Sequence, residues 1–518
     1  MKKIITMLVT LCIALSSLFV VGCGNDANTL YIEVLDKGFG MQWIYDLADK
    51  FEAANEGYTV SVTPGYESTN YETAIKSGKG KTDIYFSTDH MMKYQYNAQL
   101  LGGKRYDSMF VSLKDLYNTE IPGEGRTLGD KVDSQFTDFF TIERTNGEEE
   151  IYLFPYAIAS MGMLINKDVW QSEWKEPRTT EELFTLADTI KGAGKVPFIH
   201  SVDESYYNVM FEVLVAQYEG LSTMDNFWNV IDKYGESMTP EVMLYDGILE
   251  SYKVMEKLLK AENQYQHSSS LEAKFTGAQT SFFNKDNKIA MMLNGDWVLT
   301  ELSKNVDVST LSDVTIMKMP VISALGTKLG ITEDELCAIV DYVDGTIDTA
   351  PEFTSSKGFT DEKVIATVRE ARGINGSMGF WHGAFIPIYS DQIELAKKFF
   401  LFMASDEGLN TYTKATGNIL PFDYDWKNNP DVRPLVKEMM EELYEGKSLY
   451  PIERKKHRMF CVGGLNIANN INAGDGWIKC FSATEASDFR DADTIYMANY
   501  NAVKDRWSTI MENAGYGE

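Results

Sequence analysis

Cysteine is scarce in this chain: five in 518 residues. Cys12 and Cys23 fall in the first 23, which leaves Cys337, Cys461 and Cys480 for the body. That density excludes a disulfide scaffold. A Cys461–Cys480 bridge stays open for a protein outside the cell, but buried, unbridged thiols are the expectation. No Cys-x-x-Cys occurs, so zinc-ribbon and thioredoxin-type chemistry lack their ligands. Basic residues are also short: 48 Lys and Arg against 76 Asp and Glu give a net charge of −28. Such a chain repels phosphate backbones and anionic lipid, which argues against nucleic-acid partners. Beyond residue 21 there is no second long apolar run, so a soluble body is expected.

The usual catalytic signatures are missing. There is no H-E-x-x-H and no G-x-S-x-G. Gly80-Lys81-Thr82 copies the end of a phosphate loop, but Ile75 stands where its first glycine belongs. Asp423, Asp425 and Asn428 lack the turn glycine and closing Glu of a calcium loop. Among 76 carboxylates no spacing singles out a glycosidase acid and base. Tyr206-Tyr207 reads as a packing pair rather than ferric ligands, and His382 as a hydrogen-bonding structural histidine. No enzyme activity, cofactor or metal is expected. Neither an internal repeat nor a low-complexity tract appears.

What is present begins at the N-terminus. Met1-Lys2-Lys3 is a positive start, and Ile4 to Val21 is apolar apart from Thr, Ser and Cys12. Val20-Val21-Gly22-Cys23 follows, then the polar Gly24 to Thr29. This segment resembles a bacterial lipoprotein signal. It implies a signal peptide over 1–22, cleavage before a diacylglycerol-bearing Cys23, and a flexible tether over 23–28. An uncleaved membrane helix needs about 20 apolar residues, and this run falls short. Losing Lys2 and Lys3 would leave the mature chain at −30. Its length suits two or more domains.

The body alternates strands and helices. Thr29–Leu35, Tyr58–Thr63 and Thr82–Ser87 read as strands. Between them, Ile44, Leu47, Ala48 and Phe51 form one apolar stripe on a helix over Met41–Ala54, and Glu72–Lys76 is a short helix. That order predicts a parallel sheet flanked by helices. Ile151–Phe154 and Met161–Asn166 restart the strands. Thr179 and Glu182 are spaced as a capping box before Leu183, Leu186, Ala187 and Ile190, and Gly192 stops that helix. Ser390 is placed to cap a helix carrying Ile393, Ala396, Phe400 and Met403. Residues 325–372 read as mostly helical and charged.

Aromatics make up 12% of the chain, and two Gly-flanked clusters stand out: Asn294-Gly-Asp-Trp297 and Gly379-Phe-Trp-His-Gly383. Aromatic rings can cover the C–H face of a pyranose while Asp, Asn and His hold its hydroxyl rim. A single Trp is otherwise an ordinary core residue.

At this point a family resemblance emerges. Phe51 to Val60, Gly78 to Ile84, Phe154-Pro-Tyr156, Met163 to Asp168, Thr179 to Phe198, Lys288 to Trp297, Ile386-Pro-Ile, and Ala396 to Gly408 occur in order. Together with the lipoprotein signal they resemble the extracellular solute-binding proteins of sugar-type ABC importers, the family that includes maltose-binding protein. The resemblance implies an α/β fold of two lobes, each a mostly parallel sheet flanked by helices, with a helical insertion. Lobe one would hold 29–155 and 380–425, lobe two 156–320 and 430–518, and the insertion 325–372. It implies capture of a carbohydrate, with an oligosaccharide as the leading expectation, by hinge closure and delivery to a permease. The protein would be a monomer on the outer face of the plasma membrane, held there by its lipid alone. Carried over position by position, the ligand residues would be Asp36, Lys37, Phe39, Gly40, Glu67, Asp89, Tyr156, Asn294, Asp296, Trp297 and Trp381. Departures are Ser87-Thr88 where relatives often have Trp, a poorly matching stretch from Tyr450 to Ile478, and the insertion, which would be decoration, a docking surface or a cleft cover. Alternatives are a peptide, polyamine or metal-chelate receptor, a surface glycoside hydrolase, or a sensor lobe feeding a membrane kinase.

Overall fold

A computed structural model describes residues 28–65, 68–88, 92–144, 147–201, 206–304, 306–445, 447–451, 457–471 and 476–516. The expected signal segment over 1–22, Cys23, Glu67 and Asp89 lie outside these residues.

The first sheet grows from alternation. In β1 (Thr29–Leu35), Leu30, Ile32 and Val34 are buried and their neighbours partly exposed. The helix α1 (Gln42–Ala54) lays Trp43, Ile44, Leu47, Ala48 and Phe51 on the core, the stripe its spacing dictates. The strands β2 (Thr59–Gly65) and β3 (Ile84–Ser87) both pair with β1 in parallel. Crossover helices demand this direction. The sheet is completed by β4 (Phe154–Pro155) and a late strand, Gly383–Phe385, which pairs antiparallel with both β3 and β4. The expected single strand over Ile151–Phe154 is split, because Glu149–Ile151 instead pairs with Thr141–Glu143.

The second sheet contains β5 (Met161–Asn166), β6 (Val196–Ile199), β7 (Ile289–Gly295) and β8 (Val314–Met317), in the order β6-β7-β5-β8. Every residue of β5 and β7 is buried. Those unbroken runs mark strands covered on both faces. β6 and β7 are parallel, whereas β5 is antiparallel to β7 and β8. Both sheets are therefore mixed, and the expectation of mostly parallel sheets is corrected. Side-chain periodicity fixes which face is buried but not the direction of the neighbouring strand.

Around this sheet pack α2 (Thr180–Gly192), α3 (Tyr207–Glu219), α4 (Asp246–Leu259) and α5 (Phe275–Phe283). Thr179 caps α2 by accepting from the Glu182 amide at 3.4 Å. The second half of the expected box is absent, because the Glu182 carboxylate takes the Arg178 amide at 2.9 Å instead. The stretch 325–372 contains α6 (Glu333–Val343) and α7 (Asp361–Arg372). Arg372 holds Asp344 at 2.8 Å and the Met319 carbonyl at 2.9 Å, and Arg178 binds Asp341, so the insertion is clamped to the second sheet's surroundings.

Two segments run side by side at the junction of the sheets. Tyr156–Ser160 joins β4 to β5. Met378–His382 joins β9 (Ile374–Ser377) to β10 (Gly383–Phe385). They are hydrogen-bonded to each other: Tyr156 N donates to His382 O at 3.2 Å and Met378 N to Ala159 O at 3.0 Å. At Gly379 a Cβ would lie 2.0 Å from Ile158 O, so only glycine permits the contact. Ala159 is held at φ +45°, a left-handed conformation rare for a residue with a Cβ. Beyond the crossing, α8 (Ile393–Ala404) starts two residues later than the Ser390 cap predicts. Ser390 instead accepts from the Gln392 amide and donates to buried Asp83. α9 (Asp406–Thr416) then returns to pack on α1. None of Cys337, Cys461 and Cys480 forms a disulfide; Cys337 and Cys480 are buried, and Cys461 is half-buried.

Candidate ligand site at the junction of the two sheets

A pocket of about 160 Å³ opens where the ends of β1 and β7 meet the crossing segments. This is the crevice position that open α/β sheets favour. The loop after β1 supplies Lys37, Phe39 and Gly40. The crossings supply Tyr156, Met378, Trp381 and His382, and the turn after β7 supplies Trp297. Six of the residues expected from the sequence are thus brought together.

Their positions have local causes. Trp297 follows Gly295, where a Cβ would sit 2.1 Å from the Trp297 ring; glycine lets the indole fold back over the strand end. Phe39 packs edge-on against Trp297 at 6.4 Å and His382 at 5.7 Å. Trp43 donates its indole N–H to Gly40 O at 3.0 Å and stacks on Tyr156 at 6.1 Å. Tyr206 also meets Trp297 edge-on, at 6.0 Å. Offset and edge-on ring pairs of this kind each add about 0.5–1.5 kcal/mol beyond area burial, so the walls are stiff.

The pocket is close to neutral. His382 Nδ1 donates to Met378 O at 3.0 Å, and desolvation lowers its pKa to about 4, so the imidazole is uncharged at neutral pH. Burial also raises the Tyr156 hydroxyl well above its ordinary range. Among the described lining residues the charged side chains are Lys37 and Glu301, and Glu301 accepts from Gln279 at 2.7 Å.

Three expected ligand residues stand elsewhere. Asp36 does not line the pocket; its carboxylate holds Lys304, beyond β7, at 2.7 Å. Asn294 is buried beside the pocket, with Oδ1 accepting from the Gly295 amide at 2.8 Å. Asp296 points to the crossing: its Oδ2 accepts from Ser160 N at 3.3 Å, and its own N donates to Ser160 O at 3.1 Å. Burial raises its pKa to about 7. Sequence reasoning missed Trp43, Thr88, Tyr206, Phe275, Glu301 and Met378, which also line the pocket. The Tyr206-Tyr207 pair was legible, but its two members differ: Tyr207 is core and Tyr206 faces the pocket. Nothing in the residues around Phe275 signals its role.

A larger groove of about 910 Å³ runs between α2, β8 and the insertion. It lies outside the junction of the sheets, and Arg178, Lys318 and Arg372 in it are tied to Glu182, Asp341, Asp344 and Glu442. A satisfied ion-pair surface is a poorer ligand site than the smaller aromatic pocket. No residue of 325–372 lines that pocket. Among the described residues no group of three or more His, Cys, Asp or Glu is arranged to hold a metal, and no helix is long and apolar enough to cross a membrane.

Two sheets, two hydrogen-bonded crossings and one pocket at their junction define a two-lobed ligand-capture protein. The chain belongs to the bacterial extracellular solute-binding protein family, whose profile matches residues 46–434. Three solved structures share the fold. One is the bacterial solute receptor AcbH, described as exclusive for β-D-galactopyranose, with TM-score 0.58 and 12% identity, covering 92% of this chain and 100% of its own. A second comes from work on xylan utilization by Caldanaerobius polysaccharolyticus, with TM-score 0.55, 12% identity and coverage of 94% and 98%. The third is a probable secreted solute-binding lipoprotein from Streptomyces coelicolor, with TM-score 0.57, 13% identity and coverage of 92% and 99%. Comparison with curated proteins finds no match.

Proposed function

We propose that this protein is a lipid-anchored receptor that captures a carbohydrate between its lobes and delivers it to an ABC import permease. The observation that carries this reading is the pocket's lining, in which Phe39, Tyr156, Tyr206, Trp297 and Trp381 surround a nearly neutral space. Ring faces suit the C–H face of a pyranose. Its volume of about 160 Å³ is below the ~300–1,000 Å³ of drug-sized sites, which fits one sugar ring. An oligosaccharide would then seat one ring here and leave the rest at the mouth. The β-D-galactopyranose receptor with the same fold supports the same class.

A polyamine needs several carboxylates, and a glycosidase needs two at catalytic separation. Among the described lining residues only Glu301 has one. We therefore favour a receptor over an enzyme. In this reading lobe one comprises 29–155 and 380–425, lobe two 156–320 and 430–518, and 325–372 is an insertion on lobe two. Closure rotates the lobes about Tyr156–Ser160 and Met378–His382. Cys23 carries the lipid, and the protein works as a monomer.

A thermal-shift panel of monosaccharides, oligosaccharides, polyamines and peptides tests this. A ligand at 100-fold its Kd adds about 2.7 kcal/mol to folding stability. At least one sugar is expected to raise the melting temperature, and to shrink the radius of gyration in solution scattering. A shift with a polyamine or peptide and with no sugar overturns the reading.

A further inference from the structure

Beside the main pocket, and sharing Tyr206 and Phe275 with it, lies a second cavity of about 10 Å³. That is room for a single oxygen-sized group. His200, at the end of β6, and Asn294, at the end of β7, line it. Sequence reading gave His200 no role.

The proton positions on His200 follow from its neighbours. Gln266 Nε2 donates to the Leu258 carbonyl at 3.1 Å, which fixes the amide orientation. Its Oε1 then faces His200 Nδ1 at 2.9 Å and must accept, so Nδ1 carries the hydrogen. Nε2 is left as a lone-pair acceptor. The ring is only 5% exposed and stacks on Tyr207 at 4.9 Å, and among the described residues Nε2 has no partner. Burial pulls this imidazole down to about 4, so it stays neutral. Asn294 complements it. Its Oδ1 is occupied by the Gly295 amide, while among the described residues its Nδ2 has only a 3.9 Å contact to Met292 Sδ. The cavity thus offers one acceptor and one donor, both uncharged.

One chemical group answers both. A hydroxyl donates to Nε2 and accepts from Nδ2. A carboxylate would set its charge against the imidazole lone pair, an ammonium would oppose the amide N–H, and a methyl would leave both buried groups unsatisfied. We infer that this recess is the hydroxyl-reading end of the ligand site, where His200 accepts from, and Asn294 donates to, one hydroxyl of the bound sugar. The inference rests on the carbohydrate reading and makes His200 a specificity-determining residue. A group projecting past Tyr206 and Phe275 from a ring seated against Trp297 enters the recess.

The test is a cycle of calorimetric titrations with the full chain. D-Galactose, D-glucose, D-mannose and D-xylose are each compared with their monodeoxy analogues, on wild type and on His200→Phe. One deoxy analogue is expected to bind wild type ~10–100-fold more weakly, the range set by leaving a buried polar group unsatisfied. His200→Phe is expected to lose the same factor toward the parent sugar and to bind parent and analogue alike. His200→Gln, which keeps an acceptor, is expected to recover most of the affinity. If every deoxy difference survives in His200→Phe, the recess holds only water and the inference falls, while the carbohydrate reading stands. If wild type binds no sugar, both fall. Should His200→Phe fail to fold, ¹⁵N-histidine NMR on wild type decides. The chain has five histidines. The Nε2 resonance of His200 must move with the parent sugar and not with the deoxy analogue; equal movement with both refutes the assignment.

Discussion

Replacing Asp296 with Asn should stabilise the protein, and by an amount that grows with pH. Asp296 is 2% exposed. It accepts a 3.3 Å hydrogen bond from Ser160 N, while Oδ1 has no partner among the described residues. The Tyr412 hydroxyl, itself buried, lies close enough for its titration to be raised further by this carboxylate. Desolvation outweighs the Ser160 bond and carries the pKa from 3.8 to about 7. Between those values the unfolded chain has lost its proton and the folded chain keeps it. More protons are then bound in the native state, so stability falls as pH rises through this window and is level above it. Three units correspond to about 4 kcal/mol in full. At pH 5 about 1.5 kcal/mol of that has accrued, and at pH 8 all of it.

Asn has the same shape and no charge, so Asp296→Asn escapes the penalty. Urea unfolding at pH 4, 5 and 8 measures the difference. The variant is expected to exceed wild type by only about 0.6 kcal/mol near pH 4 and by about 1.5 and then about 4 kcal/mol at the two higher values. A difference that does not change with pH would refute the reasoning. It would mean that Asp296 stays ionised, paired with something that offsets its burial. A variant destabilised at pH 8 would show that the Ser160 bond at the crossing matters more than the buried charge.

Three further outcomes are expected. Trp297→Ala should weaken sugar binding by ~1–3 kcal/mol, about 5- to 150-fold in Kd, with Trp297→Phe in between; calorimetry giving an unchanged Kd would make Trp297 core alone. Lys304→Ala should remove the Asp36–Lys304 bridge across the pocket's edge, which is part-exposed at 29% and 39%, and cost ~0–1 kcal/mol of closure. That loss should vanish at high salt, and a salt-independent effect would contradict it. Cys23→Ala should not be lipidated and should leave the membrane fraction, so retention equal to wild type would sink the anchor.

How far the sequence foretold this depends on what kind of information each feature needs. The buried faces of β1 and α1 follow from periods of two and 3.6, and the structure buries the expected residues. Strand direction needs knowledge of the partner. Gly383–Phe385 is therefore silent in the sequence about its antiparallel place between β3 and β4. Family order points to the loop after β1 and the Trp297 turn, and the structure brings Lys37, Phe39, Gly40 and Trp297 to one pocket. Asp296 was read by residue type as a ligand group for a hydroxyl rim. Its backbone pairing with Ser160 instead turns the carboxyl toward the crossing.

His200 shows the same limit from the other side. His200 follows the short strand β6, and the structure buries it. What makes it chemically available is a chain of three constraints from distant segments. The Leu258 carbonyl orients Gln266, Gln266 fixes the proton on Nδ1, and Nε2 is left as an acceptor without a partner among the described residues, on a residue that lines the same small cavity as Asn294. No local pattern encodes that sequence of constraints, because each link joins residues brought together only by the sheet. Specificity for a neutral hydroxyl needs this arrangement more than it needs charge. A charged group would be attracted by many solutes, whereas a buried donor and acceptor penalise every group that fails to satisfy both.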